Sequence, residues 1–113
     1  MTSSLNTKHC EACEGIGQAL DAEQIQHLLP QLTSGWRVTA DNKQIKKSLS
    51  FADFYETMAF VNAVAWIANQ ENHHPDLEIG YNHCHITLMT HALKGLSMND
   101  FICAAKFDAL LVD

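Results

Sequence analysis

Basic residues are scarce in this sequence. Seven Lys and Arg stand against thirteen Asp and Glu, a formal charge of −6. That balance argues against binding along a phosphate backbone, which needs clustered cations. Long apolar runs are missing too. The longest apolar-rich stretch, residues 58–68, has eleven residues and contains Asn62. It is too short to span the ~30 Å hydrocarbon core of a bilayer. The opening residues, MTSSLNTKHCEACEG, hold no apolar segment of the kind a secretory signal requires. No repeat, low-complexity tract or internal linker follows residue 19. The expectation is a soluble, cytoplasmic protein with no nucleic-acid or membrane partner.

What is present suits one folded domain. The chain has 113 residues, 47% hydrophobic and 18% charged, so it is neither disordered nor fibrous. A chain of this size buries roughly two thirds of its unfolded surface, enough for an ordinary core. Four cysteines sit at 10, 13, 84 and 103. Without an export signal, free thiols are expected rather than disulfides. Cys84 and Cys103 fall in apolar segments and read as small buried hydrophobes. Residues 1–19 are polar, include Gly15 and Gly17, and lack periodicity. They read as a flexible arm ahead of a domain over 20–113.

The periodicity of that domain predicts seven elements. Asp21, Ala22, Glu23 and Gln24 form an N-cap region, and Ile25, Leu28, Leu29 and Leu32 follow at helical spacing, with an end near Pro30 to Thr33. Residues 36–40 and 44–50 flank Asp41-Asn42-Lys43 as a hairpin. Residues 51–69 give the strongest helix, with a stripe of Phe54, Met58, Val61, Ala65 and Ala68 widened by Phe60, Val64 and Ile67. At 1.5 Å per residue it would be ~28 Å long. So broad an apolar face implies burial against a sheet and a possible subunit contact. Residues 76–81 and 83–90 read as two strands; Cys84, Ile86 and Leu88 share one face, and His83, His85, Thr87 and Met89 the other. Ser97-Met98-Asn99-Asp100 is an acid-bearing variant of the capping box before a last amphipathic helix. The order α-β-β-α-β-β-α predicts an α+β two-layer sandwich, a four-stranded antiparallel sheet with helices on one face.

Histidine is the anomaly. Five of seven, His73, His74, His83, His85 and His91, lie within nineteen residues. His73-His74-Pro75 closes the long helix, and His91 ends the following strand on its accessible face. A helix-to-strand turn and a strand end can adjoin, so these three imidazoles can converge. Imidazole gives or takes a proton near neutral pH. Two in one site need not share a protonation state, which suits paired acid and base chemistry. Bland readings compete: His27, His83 and His85 suit solvated surface positions. A zinc site from His83, His85 and His73 or His74 is the sharper rival, but no carboxylate or cysteine stands at a familiar zinc spacing beside them. Cys10 and Cys13, in His9-Cys10-x-x-Cys13, are half a zinc site whose other half is not evident; an uncommitted arm is expected there.

These residues resemble a known family. Asn72-His73-His74-Pro75, then Tyr81-Asn82-x-x-x-Ile86-Thr87-Leu88-x-Thr90-His91, then Gly95-Leu96-Ser97-x-x-Asp100, is similar to pterin-4a-carbinolamine dehydratase over about residues 21–113. The arm resembles bacterial members. The resemblance implies a hydro-lyase that takes 4a-hydroxytetrahydropterin, the carbinolamine left by aromatic amino acid hydroxylases, to quinonoid dihydropterin and water. It implies no metal and no cofactor, and a homodimer or homotetramer. It places the catalytic histidines at His73, His74 and His91. On that reading His73 and His91 share the acid and base roles, and His74 orients the pterin. Backbone around Pro75 and Thr90 would meet the pyrimidine edge, and Trp36 would give an apolar wall or simply pack the core. Glu71 reads as a solvated helix end sooner than a histidine-tuning carboxylate. The chain departs from many relatives at Leu77, where they carry an aromatic residue, and at Ala92, where they carry an acid. Some animal relatives act as dimerisation cofactors of a transcription factor, so a binding module is the alternative to an enzyme.

Overall fold

The computed structural model describes residues 5–11 and 17–111. Helix α1 (Ala22–Leu28) begins at Asp21, whose carboxylate accepts the Gln24 N–H while the Gln24 amide answers the Asp21 N–H. That reciprocal box satisfies two N–H groups that the first turn leaves unpaired. Strand β1 (Arg37–Val38) pairs with β2 (Ile45–Ser50). The expected five-residue first strand shrinks to two, because Thr39 already closes the turn, accepting and donating across to Gln44. Asn42 supplies the left-handed residue that the turn needs (φ 60°).

Helix α2 (Phe54–Glu71) starts three residues later than periodicity suggested. Asp53 is the cause: its backbone is extended and its side chain accepts the Glu56 N–H at 2.9 Å, fixing it as N-cap. The buried stripe is Thr57, Phe60, Val61, Val64 and Ala68. The expected Phe54 and Ala65 face solvent instead. Thr57 turns inward without cost because its hydroxyl donates to the Asp53 carbonyl and also contacts the Tyr81 carbonyl. Asn72, in the left-handed conformation (φ 52°), ends α2 and reverses the chain.

Strands β3 (Asp76–Ile79) and β4 (His83–Leu88) form a hairpin. The sheet order is β1-β2-β4-β3, all antiparallel. Register places Ile45, Lys47 and Leu49 opposite Leu88, Ile86 and Cys84, all on the inner face. Lys46, Ser48, His85 and Thr87 alternate outward. Helix α3 (Met98–Ala109) follows a 3-10 turn at His91–Leu93. Its Phe101, Phe107 and Ala104 meet Val64, Ile86 and Ile25 in one core between sheet and helices. The chain therefore has the expected α+β two-layer architecture. No helix among the described residues is long and apolar enough to cross a membrane.

The segment ahead of α1 contributes to that core. Leu5, in a 3-10 turn (Leu5–Thr7), is buried with the cluster, and the Lys106 ammonium donates to the Asn6 carbonyl. Among the described residues Cys10, Cys84 and Cys103 are free thiols. Cys13 lies outside the described residues.

Candidate active site

The site grows from two chain reversals. At the first, Asn72 turns α2 back and the His73 N–H donates to the Ala68 carbonyl. At the second, β4 stops at Leu88 and Thr90 pairs with Gly95 across a tight loop, its N–H donating at 2.7 Å. Gly95 is needed there: a β-carbon would stand 2.9 Å from that of Ala19. The strand thus ends two residues early because Thr90 is recruited inward. His91 opens the 3-10 turn rather than extending the strand.

Asp100 joins the two reversals. It is fully buried, and His73 is nearly so at 6% exposure. His73 Nε2 donates to Asp100 Oδ1 at 2.7 Å. The Thr90 hydroxyl and the Ser97 N–H donate to Oδ2 at 2.8 and 2.9 Å. With the Thr90 proton committed to Asp100, the Ser97 hydroxyl donates to Thr90 Oγ1 at 2.7 Å. Three donors on one carboxylate are what a buried anion requires. The expected capping box is present, but its acid does more than cap. It fixes the orientation of the His73 ring and assigns the Nε2 proton, leaving Nδ1 as the acceptor of a neutral ring.

The other two histidines lie outside this buried network. His74 is exposed, its Nε2 donating to Asn69 Oδ1 at 3.3 Å. His91 is exposed and directly follows Thr90. The chain His73–Asp100–Thr90 therefore ties the 73–74 corner to the residue next to His91 through two hydrogen bonds. One imidazole is held rigid and two are solvent-accessible.

Two expected substrate contacts are buried side chains. Thr90 is fully buried, with its N–H given to Gly95, its carbonyl accepting Leu93 and its hydroxyl given to Asp100. It is joined to His73 through Asp100 and does not reach the surface. Trp36 is buried, and its indole N–H donates to Asp108 at 2.9 Å. Asp108 is eight residues from Asp100, ~12 Å along α3, so the indole belongs to the core at the far end of the helix. Pro75 is half buried beside His74. Glu71 is neither solvated nor a partner of the three histidines. It accepts the Cys10 N–H at 2.7 Å and His9 Nδ1 at 2.9 Å, with Lys106 at 3.6 Å. Burial pushes its carboxyl up, but the Cys10, His9 and Lys106 interactions outweigh this and leave it below the ordinary range.

His83 and His85 belong to another surface. Their rings are 5.1 Å apart on the outer sheet face, and His85 Nδ1 lies 2.7 Å from Ser48 Oγ. His85 lines an open groove of about 550 Å³ with Arg37, Lys46 and Glu78. Among the described residues no three His, Cys, Asp or Glu side chains are grouped to hold a metal ion. Pattern reading found the histidines but saw Asp100 only as a cap. The signal available was its acid at the third helical position, which periodicity cannot connect to a histidine 27 positions earlier.

The sequence profile described as Pterin 4 alpha carbinolamine dehydratase matches residues 18–110. A provisionally named pterin-4-alpha-carbinolamine dehydratase of Legionella pneumophila strain Lens is 71% identical over 113 residues, all of both chains. One of Nitrosomonas eutropha is 53% identical, covering 96% of this chain and 94% of its own. A solved transcriptional coactivator/pterin dehydratase from Brucella melitensis superimposes with a TM-score of 0.78 at 29% identity, over 82% of this chain and 98% of that one. A pterin dehydratase-like RuBisCO assembly factor of the alpha-carboxysome does so at 0.59 and 27%, over 67% and 88%. With residues 18–110 matched by the family profile and relatives of 71% and 53% identity aligned over nearly the whole chain, the chain belongs to the pterin 4 alpha carbinolamine dehydratase family.

Proposed function

We propose that this chain dehydrates 4a-hydroxytetrahydropterin to quinonoid dihydropterin, recycling the pterin used by an aromatic amino acid hydroxylase. The reaction breaks the C4a–O bond. A proton is delivered to the departing oxygen and another is taken from N5, so substrate becomes product plus water. Acid and base groups suffice for that balance. His73 and His91 share these two roles, and His74 orients the heterocycle with Pro75 beneath it. His73 works through Nδ1, because Nε2 is given to Asp100.

The observation that carries the reading is the hydrogen-bonded connection of His73 to Thr90 through one buried carboxylate. It supplies a fixed imidazole beside two accessible ones. The test is the decay of carbinolamine generated by a pterin-dependent hydroxylase, followed by its transient absorbance. His73→Ala, His74→Ala and His91→Ala should each slow dehydration, by about 10²–10⁴-fold where a general acid or base is lost. Three folded variants with unchanged rates would remove the assignment.

A binding role has one observation in its favour. Tyr55 and Trp66 on α2 are 89% and 65% exposed, and Ala59 and Asn62 lie exposed between them at helical spacing. That stripe suits a second copy of the chain, in a homodimer or homotetramer. A coactivator-like partner would use the same surface. If the protein fails to speed carbinolamine decay with all three histidines intact, the binding reading gains.

A further inference from the structure

The dehydration chemistry makes no use of the cysteine-bearing arm, yet the arm is built into the back of the site. The Cys10 N–H and His9 ring both donate to Glu71 at the end of α2. Asn99 on α3 grips Glu11 from both sides, its amide donating to the Glu11 carbonyl at 2.8 Å and accepting the Glu11 N–H at 3.1 Å. These contacts bring Cys10 Sγ to 3.6 Å from Cys103 Sγ, across 93 positions of sequence. Cys10 is half buried and Cys103 fully buried. One residue of the pair is therefore partly exposed to solvent and the other is not. An S–S bond is about 2.05 Å, so the sulfurs need to approach by only about 1.5 Å.

We propose that Cys10 and Cys103 form a reversible disulfide that staples the arm to α3, with a small-molecule disulfide as oxidant. Cys10, the accessible thiol, attacks first as its thiolate. A bond forms between Cys10 Sγ and one sulfur of the oxidant, the oxidant's own S–S bond breaks, and a thiolate leaves with the Cys10 proton. Cys103 then attacks Cys10 Sγ, the mixed disulfide breaks, and the second departing thiolate takes the Cys103 proton. Two protein thiols are oxidised and one disulfide is reduced to two thiols. The order follows from the surroundings. Cys103 is held protonated above the ordinary thiol range, first by its hydrogen bond with Cys10 and then by burial. The staple has a functional address, since Cys103 Sγ lies 4.0 Å from the His73 carbonyl.

Mass mapping of the full-length protein tests this. The chain is incubated with oxidised glutathione, quenched with acid, alkylated and digested. The expected result is two blocked thiols of the four and a Cys10–Cys103 linked peptide, released by dithiothreitol. Cys13→Ser should retain the link, and Cys10→Ala, at the half-exposed position, should abolish it. Four alkylated thiols, a Cys10–Cys13 link, or glutathione left on Cys10 with Cys103 still free would each overturn the proposal.

Discussion

Asp100 is the residue on which the candidate chemistry most depends, though it is fully buried. Asp100→Asn keeps the shape but offers one carbonyl oxygen where two accepted. Either Thr90 and Ser97 or His73 then faces an amide donor. With three donors converging on this position, the loss should cost about 1–3 kcal/mol of stability, read as a lower Tm. As a positioning residue it should also lower kcat by about 10-fold or more with little change in KM, part of the acid–base contribution. A displaced pH–rate profile would separate this from mere loosening. Glu71 gives a second residue-scale expectation. Its folded-state pKa lies below its ordinary 4.5. Such a carboxylate adds stability that is fully present above the unfolded value and lost as pH falls through the folded one. The difference in Tm between wild type and Glu71→Gln should therefore hold near neutrality and shrink below pH 4.5, as thermal melts across an acid series would show. The histidines were legible in the sequence because residue type and spacing announce them. Glu71 and Asp100 were not, since their roles depend on partners 61 and 27 positions away.

At the scale of elements, the link between β2 and the C-terminal end of α3 is a buried ion pair. Lys47 Nζ meets Asp108 Oδ1 at 2.9 Å and the Thr33 hydroxyl at 2.9 Å, while Trp36 and the Thr33 N–H donate to the same carboxylate. Removing one charge strands the other in a dry place. Lys47→Met should cost about 3–5 kcal/mol, and Lys47→Met with Asp108→Leu should recover much of it; urea melts of the three proteins decide. Lys47 sits at an inward position of an otherwise apolar face, so its strand was legible while its ion pair was not. Element types followed from periodicity throughout. Boundaries moved where one polar side chain overrode the pattern: Asp53 delayed α2, and Thr90, turned inward to Asp100, cut β4 short.

For the whole molecule, the exposed face of α2 is the feature a lone chain leaves unexplained. If Tyr55 and Trp66 are covered by a second copy, Trp66→Glu should shift sedimentation toward monomer at micromolar concentration without altering the fold seen by circular dichroism. Unchanged sedimentation of an oligomer would place the contact elsewhere. The two-layer architecture was legible because hairpins and amphipathic helices alternate in the sequence. The docking of residues 5–11 was not, because Leu5, Cys10 and Glu11 find their partners at the other end of the chain.

One carboxylate both starts the last helix and orients the His73 ring. On the role proposed for His73, a sturdy fold and turnover consequently rest on the same side chain. A library screened only for heat resistance would, at this position, quietly preserve competence as well.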